Sequence, residues 1–323
     1  MAMAKKRQVF FNSNANGIDM LSVAVYSLLK NSDPNQPLSI FIAHDGTFAD
    51  QHGKERIDDI VIRFPFASTH YLDFTPCQRK YGQAFTEILW AFPLCEKLLP
   101  AEITGNLVYL DIDMLIMADL APLYELDLAS KGMIAAAVNE SRREHRQYLI
   151  DAGWPEAAGY SFNNATTVID LAAFRAAHAT ERMIEWFRAH QKTAINLDQD
   201  AQNVIYGDKT LRLPPKWNYT DGWLERILRL NPFAREWRVF KPADMLEAIL
   251  APCIIHYIGR RKPTRWTHRP ERLVYKRAMG ELGMLEHGRL PGETLGKVIV
   301  GFGFDAYHRL LKWYARLLKA LRG

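Results

Sequence analysis

The feature that most constrains the fold is an alternation of strand-like and helix-like segments along the first part of the chain. Apolar runs with strand character alternate with segments of helical periodicity in the order Arg7–Asn12, Asp19–Lys30, Leu38–Ala43, Asp50–Arg63 and Ser68–Phe74. This pattern predicts an α/β fold with a mostly parallel central sheet, helices on both faces and ligands beyond the carboxyl ends of the strands. The glycine-rich turn of dinucleotide-binding proteins is missing after the first strand.

The same patterns predict further elements along the chain. A helical stretch is expected at Ala84–Leu99. Strands are expected at Asn106–Leu110, Gly132–Val138, Ser161–Leu171 and Cys253–His256, and helices at Ala172–Gln191 and Asp198–Tyr206. The sequence is divided into a catalytic domain, residues 1–270, and a C-terminal helical extension, residues 271–323.

Composition excludes several classes of protein. The three cysteines are widely spaced, which supports neither a disulfide framework nor a cysteine-based zinc site, and no recognisable signal or membrane-spanning run occurs.

The net charge is +5, and the last eighteen residues hold five lysines and arginines with no acid. The remaining 36 basic and 36 acidic residues cancel, so no nucleic-acid partner is expected. The expected location is cytoplasmic.

Two carboxylates, Asp111 and Asp113, follow the strand NLVYL. If both carboxylates are to reach one cation, the backbone must bend there, as it can where strand pairing stops. Apolar neighbours predict partial burial, which is costly for a carboxylate without a partner. A hard cation, Mg²⁺ or Mn²⁺, suits them. Surface acids capping a strand end are the alternative.

A second group of candidate residues follows the strand PCIIH. His256 read alone indicates a hydrogen-bonded core histidine, but together with the two aspartates it completes an Asp, Asp, His set that suits manganese better than magnesium. Lys262 follows Gly259 and could bind a diphosphate, or it could be a solvated loop residue.

Two polar segments also contain candidate binding-site or active-site residues. The loop after the first strand contains Asn14 and Asn16, which could hold a base or ribose or could simply form a turn. Asp198 and Gln199 open a predicted helix, where an aspartate either caps the helix or faces a sugar in an active site.

These pieces resemble, in order, the retaining family 8 glycosyltransferases, which include glycogenin and the bacterial lipopolysaccharide galactosyl- and glucosyltransferases. The likeness covers about residues 7 to 266. After the opening strand and its polar loop it is carried by LVYLDIDMLI, SFNNATTVIDLAAFR, NLDQDAQNVIYGD, PPKWNY and IIHYIGRRKP. The strand followed by Asp-x-Asp, with the distant His-Tyr-x-Gly-x-x-Lys-Pro, is the specific part.

The resemblance implies a GT-A nucleotide-sugar fold and a set of residue roles. Asp111, Asp113 and His256 would bind Mn²⁺, which would hold the diphosphate of a UDP-sugar donor. Asn163 would lie near the donor sugar, with Asp198 and Gln199 at the reacting carbon. Residues implied to bind the donor are Asn14, Asn16, Asp111, Ile112, Gly259 and Lys262.

The sequence departs from the family pattern at three places. Asn164-Ala165-Thr166 stands where the family has a small residue, Gly and Val. Asn14 or Ala15 replaces an acidic residue that often reads uracil, and Trp90-Ala91-Phe92 replaces Tyr-x-Arg. Retention of configuration would need either a nucleophile, Asp198 or Gln199, or front-face attack by the acceptor hydroxyl. An amide is a weak nucleophile, which favours the front-face route.

The C-terminal segment predicts a basic amphipathic helix. Its apolar face is expected to contain Tyr307, Leu310, Leu311, Tyr314, Leu317, Leu318 and Leu321, with Trp313 at the border. Such a helix favours an anionic membrane, on which the protein would be peripheral at the inner face of the cell membrane while acting on a glycan or lipid-linked glycan. Packing on the body or on a second subunit is the alternative.

Two other functions compete with a transferase. A phosphatase of the haloacid dehalogenase type also places Asp-x-Asp after a strand, but it needs a second acid close to a later Gly-Asp, and none follows Gly207-Asp208 within four residues. A non-catalytic sugar-nucleotide-binding protein on the same fold is the other alternative.

Overall fold

The computed structural model describes most of the chain. The described residues are 7–81, 92–128, 132–139, 143–154, 156, 159–220, 240–259, 262–264, 271–290, 293, 306, 309–310, 312–317 and 320. Two compact units are formed. The first contains Met1–Ile18, Asp33–Ile112 and Leu120–Leu213, and the second contains Asp19–Ser32, Asp113–Asp119 and Pro214–Gly323. The expected domain boundary at residue 270 stays a prediction.

The first unit is built on a seven-stranded sheet. Its strands are β1 (Arg7–Ser13), β2 (Leu38–His44), β3 (Ala67–Asp73), β4 (Asn106–Leu110), β6 (Ile134–Asn139), β7 (Ser161–Asp170) and β8 (Thr210–Leu213), in the order β3-β2-β1-β4-β7-β6-β8. β1, β2, β3 and β4 pair in parallel, as do β6 and β8, and β7 is antiparallel to both of its neighbours. The predicted mostly parallel α/β sheet is therefore confirmed.

The strand interiors explain why this sheet is the core of the unit. Val9, Phe10 and Phe11 of β1 have no exposed surface. Consecutive apolar residues of this kind are typical of a parallel strand that is covered on both faces. Helices of this unit are α2 (Gly46–Asp50), α3 (Gly53–Val61), α4 (Thr75–Tyr81), α5 (Cys95–Leu98), α6 (Ala121–Tyr124), α7 (Arg143–Asp151), α8 (Leu171–Ala176), α9 (Ala179–His190) and α10 (Leu197–Tyr206).

Two predicted continuous helices are wrong. The segment expected to be one helix at Asp50–Arg63 contains the end of α2 and the whole of α3, with His52 between them at φ 54°. The segment expected at Ala172–Gln191 divides into α8 and α9, with His178 at φ 50°. A residue in the left-handed region cannot continue a right-handed helix, so no helix runs through either histidine, and each one precedes the first residue of the next helix.

The helix predicted at Ala84–Leu99 lies largely outside the described residues. Its described end contains turns at residues 92–94 followed by the short helix α5.

The described residues of the second unit include a three-stranded sheet and three α-helices, besides the C-terminal segment. α1 (Ile18–Asn31) belongs almost wholly to it. β5 (Met114–Ile116), β9 (Tyr219–Thr220) and β10 (Ile254–His256) form the sheet in the order β5-β10-β9, and α11 (Pro242–Leu250) and α12 (Arg272–Glu281) complete the elements. β10 is antiparallel to β5 and parallel to β9, and all three of its side chains are buried.

The C-terminal segment is helical at residues 306, 309–310, 312–317 and 320, which we call the tail helix. Leu310, Trp313 and Leu317 are exposed, whereas Ala315 is completely buried and Lys312 is half-buried. Lys312 therefore lies on the same side of the helix as Ala315. Tyr307, Leu311, Leu318 and Leu321 lie outside the described residues. In the part of the chain described here, no helix is both long and apolar enough to cross a bilayer.

Candidate functional site

The chain bends where β4 ends, at the two aspartates. The amide of Asp111 still donates to the carbonyl of Ala165 on β7 at 2.9 Å, but residues 112 and 113 form a bend before β5 begins. This is the interruption that the Asp-x-Asp spacing calls for. The Tyr109 hydroxyl lies 3.2 Å from Oδ1 of Asp111 and 3.0 Å from Oδ1 of the buried Asn12, which ties Asp111 to β1 and β4.

Asp113 is buried and has two basic neighbours. Nε2 of His256 lies 3.3 Å from its Oδ1, and the Lys262 ammonium donates to its Oδ2. Burial by itself would raise the pKa of Asp113, but the charges and hydrogen bonds of His256 and then Lys262 outweigh burial and hold that pKa well below its usual range. Asp113 is therefore a stable anion. The backbone also joins these segments, because the amide of Tyr257 donates to the Asp113 carbonyl at 2.9 Å.

The orientation of the His256 ring is set by Asn218, which precedes β9. Nδ1 of His256 lies 2.9 Å from the side-chain oxygen of Asn218. A carbonyl oxygen can only accept, so Nδ1 carries a proton and a neutral ring would present the lone pair of Nε2 toward Asp113. Asn218 stands in the PPKWNY piece of the sequence, but nothing there marked it as the partner of a histidine 38 residues later.

Asp111, Asp113 and His256 form a group with metal-ligand geometry. Each offers one ligand atom, and these atoms all lie within 4.8 Å of one another. Two carboxylates and an imidazole are a donor set that first-row divalent cations accept. With Nδ1 held by Asn218, the lone pair of Nε2 in a neutral ring and the facing carboxylate oxygen are both available to a cation. The donor set therefore fits a metal.

A second part of the predicted site joins β7 to the start of α10. Asn163 donates to the side-chain oxygen of Gln199 at 3.0 Å, and Asn164 donates to Oδ2 of Asp198 at 2.5 Å. The pairing of β6 with β7 jumps from Thr167 to Asn163 between consecutive residues of β6, which leaves residues 164–166 of β7 unpaired on that side. Asn164, a departure from the family pattern, thus gains a defined partner through a β-bulge.

Asp198 and Asp111 affect one another electrostatically. Burial, followed by the negative charge of Asp111, raises the pKa of Asp198 to about 8. Hydrogen bonds from the backbone and from Asn164 oppose that rise but do not cancel it. Without a cation, Asp198 is therefore mostly protonated at neutral pH, in contrast to Asp113.

A buried pair fixes the backbone that carries Asp198 and Gln199. Asp200 is fully buried, and its Oδ1 lies 2.7 Å from Nε2 of His145 on α7. Its Oδ2 accepts from the backbone amides of Ile195 at 2.8 Å and Asn196 at 2.9 Å. The carboxylate thereby closes the turn that leads into α10. Sequence analysis missed His145, because nothing in its local sequence distinguishes it from a surface histidine.

The remaining predicted donor residues have local structural roles. Asn14 accepts from the amide of Asn16 at 3.1 Å and caps a short 3₁₀-helix at residues 15–17. Ile112 packs so close to that turn that a Cβ on Gly17 would lie 2.5 Å from its Cδ1. Gly259 has φ 94°, which accounts for glycine there. Whether Asn14, Asn16, Ile112 and Gly259 contact a donor stays a prediction.

Comparisons with known proteins give one family match and several similar proteins and folds. A family model described as "Glycosyl transferase family 8" matches residues 8–268. The chain is 26% identical over 275 residues to the lipopolysaccharide 1,2-glucosyltransferase of Escherichia coli K12, covering 84% of this chain and 77% of that protein. The crystal structure of galactosyltransferase LgtC with donor and acceptor sugar analogs superimposes with a TM-score of 0.67 at 18% identity, over 90% of this chain and 99% of that one. The apo bifunctional glycosyltransferase WbbM gives a TM-score of 0.69 at 15% identity over 93% of this chain, which spans only 52% of WbbM.

Proposed function

Because the chain belongs to glycosyl transferase family 8, we propose that this glycosyltransferase moves a hexose from a UDP-sugar to a hydroxyl of a glycan or lipid-linked glycan, with retention of configuration. The observation that carries the proposal is the Asp111, Asp113 and His256 group at the bend after β4. The paired amides and acids at the start of α10 support it, because they supply polar groups suited to a sugar.

The cation of this proposal is Mn²⁺, held by Asp111, Asp113 and His256. The imidazole favours manganese over magnesium, which prefers oxygen ligands alone. When bound, the ion would stabilise negative charge on the departing diphosphate.

The residues around this group have separable tasks. Asn218 orients His256, and the Lys262 ammonium, held by Asp113, adds a second positive charge for a diphosphate. Asn163 holds the Gln199 amide in place. Because an amide is a weak nucleophile and Asp198 is already engaged by Asn164, the proposal follows front-face attack, in which the departing phosphate oxygen takes the acceptor proton.

The decisive experiment compares Asp113→Asn with Asp208→Asn. Mn²⁺ binding by calorimetry and hydrolysis of UDP-hexoses should both be lost in the first variant and unchanged in the second, because Asp208 is exposed. Asp113→Asn keeps the shape of the side chain, and circular dichroism checks its fold. Proton NMR of the product's anomeric signal tests retention.

The outcomes separate the alternatives. Loss of activity in Asp208→Asn as well as in Asp113→Asn would favour the phosphatase, which would need both the Asp-x-Asp and the later Gly-Asp. Wild-type protein that binds UDP-sugar with Mn²⁺ but never turns it over with candidate acceptors would be a binding protein. Full activity with a chelator present would contradict the metal proposal.

We also propose that the tail helix binds an anionic membrane. Leu310, Trp313 and Leu317 form an exposed apolar stripe, and Arg309 and Arg316 are exposed beside it. An apolar stripe flanked by cations complements a bilayer with anionic head groups. This would make the protein peripheral at the inner face of the cell membrane, close to a lipid-linked acceptor.

A further inference from the structure

The second unit contains a cavity of about 740 Å³ beside its small sheet. Residues of β9, β10, α11, α12 and the tail helix line it. The volume is within the range of small-molecule sites in proteins. Nothing in the proposed transfer reaction uses it.

The cavity lies on the opposite face of the three-stranded sheet from His256. Ile255 lines the cavity, and side chains of successive residues in a strand point to opposite faces. His256 therefore points away from the cavity. The same alternation places Tyr219 in the lining next to Thr220, which is not part of it.

The walls of the cavity are largely apolar. Leu250, Pro252, Ile255, Leu273 and Val274 all contribute to them. Removal of apolar surface of this kind from water favours the binding of an apolar group.

The rim and interior carry an excess of positive charge. Four basic residues line the cavity, against two carboxylates. Lys216 is already paired with Glu247 at 2.8 Å, and Glu271 accepts from the Tyr219 hydroxyl at 2.8 Å. Arg277, Arg309 and Lys312 form no ion pair among the residues that the structure describes. Lys312 is half-buried, and burial, with a smaller contribution from Arg316, lowers its pKa against the opposing charge of Glu271.

We propose that this cavity binds a phosphate monoester of a single alkyl chain. The apolar walls would take the chain, and Lys312, Arg277 and Arg309 would bind the phosphate. Guanidinium groups match phosphate oxygens in two parallel hydrogen bonds, which favours phosphate over a carboxylate. The half-buried ammonium of Lys312 gains a direct partner from an anion that enters beside it. The site is independent of the proposed transfer reaction.

The cysteines of the chain provide a direct test. Cys253 lines the cavity and is half-buried, and Cys77 on α4 is equally half-buried but is not part of the lining. Burial raises the pKa of both thiols, so a thiol reagent should modify both slowly in mildly alkaline buffer. The full chain is labelled with and without decyl phosphate below its micellar concentration, and each thiol is followed by mass spectrometry.

At about ten times its dissociation constant, decyl phosphate should slow modification of Cys253 about tenfold by mass action and leave Cys77 unchanged. Decanol and inorganic phosphate should protect much less, because decanol lacks the phosphate group and inorganic phosphate lacks the alkyl chain. Lys312→Gln and, separately, Arg277→Gln on the exposed rim should weaken protection, whereas Lys192→Gln on the exposed surface of the first unit should not.

Three results would overturn the proposal. The first is no protection of Cys253. The second is equal slowing of Cys77, which would show a general detergent effect. The third is protection by decanol or decanoate as strong as that by decyl phosphate, which would remove the assignment to a phosphate.

Discussion

Two aspartates of the predicted site have pKa values shifted in opposite directions. The pKa of Asp113 is held low by His256 and Lys262 despite burial, whereas burial and the charge of Asp111 raise that of Asp198 to about 8. Residues of one chemical type thus differ in charge at neutral pH because their neighbours differ. Asp113 is suited to a permanent cation contact, and Asp198 to a hydrogen-bonding role while no cation is present.

Asp198 should make the stability of the metal-free protein depend on pH. Its pKa is raised on folding from 3.8, so the folded state binds this proton more tightly than the unfolded state. The free energy of unfolding should therefore fall as pH rises from about 4 to 8, by at most about 1.4 kcal/mol per pH unit. Asp198→Asn has no proton to lose, so its stability relative to wild type should increase over this interval.

Thermal melting in chelator between pH 5 and 8 measures the difference between the two proteins. Asp208→Asn, at an exposed aspartate, should follow the wild-type curve in parallel. Parallel curves for Asp198→Asn as well would show that Asp198 ionises normally.

Part of the candidate site was predictable from residues alone. Asp111, Asp113 and His256 were identified by motif order, and the structure brings them together. Asn218 and His145 were not, because each acts through a partner far away in the sequence and has no local pattern. A hydrogen bond between distant residues becomes visible only when the fold is known.

At the scale of elements, it was easier to predict whether a segment is a strand or a helix than to predict whether a helix is continuous. The strand at Asn106–Leu110 has the predicted bounds, β1 and β2 each end one residue later than predicted, and β3 begins and ends one residue earlier. The two helices broken at His52 and His178 keep their apolar periodicity on both sides, so periodicity alone did not show the break. Gly53, next to His52, lets the chain pass close to Phe48 at the first break, because a Cβ on Gly53 would lie 2.7 Å from the Phe48 ring.

The start of α10 should depend on a residue of α7. His145→Ala would leave Oδ1 of the fully buried Asp200 without its imidazole partner, which costs about 1–3 kcal/mol for an unsatisfied buried polar group. Because Asp200 also closes the turn before Asp198 and Gln199, kcat should fall more than KM for the UDP-sugar rises.

Urea unfolding and steady-state kinetics measure the two effects. Glu144→Ala, at an exposed position on the same helix, is the matched control and should change neither. A destabilised His145→Ala protein with unchanged kcat would limit the pair to a structural role.

At the scale of the whole molecule, the position of the net charge along the chain was predictable, but the orientation of the individual basic side chains was not. The sequence places the entire net excess of +5 in the last eighteen residues. It does not show that Lys312 turns inward while Arg309 and Arg316 stay exposed, because helical periodicity cannot tell which side of an amphipathic helix meets the protein. The cavity was unpredictable because its lining comes from five separate stretches of the chain.

The exposed side of the tail helix should make membrane attachment sensitive to salt. Each basic residue near an anionic surface contributes about 1 kcal/mol, and the attraction is screened within about 10 Å at 0.1 M salt. Full-length protein should therefore sediment with phosphatidylserine-containing vesicles and be released as salt rises. Trp313→Ser and the pair Arg309→Glu with Arg316→Glu should each weaken sedimentation, because they remove the apolar and the electrostatic contribution respectively.

Ile62→Ser is the matched control, since Ile62 is an apolar residue that is 82% exposed on α3's C-terminal side and far in sequence from the tail. It should bind vesicles like wild type. Hydrolysis of UDP-sugar should persist in both tail variants, because no proposed metal or sugar residue belongs to the tail helix. If Trp313→Ser instead left vesicle binding intact and changed the oligomeric state in light scattering, the exposed stripe would be a contact between copies of the chain, and its assignment to the membrane would be wrong.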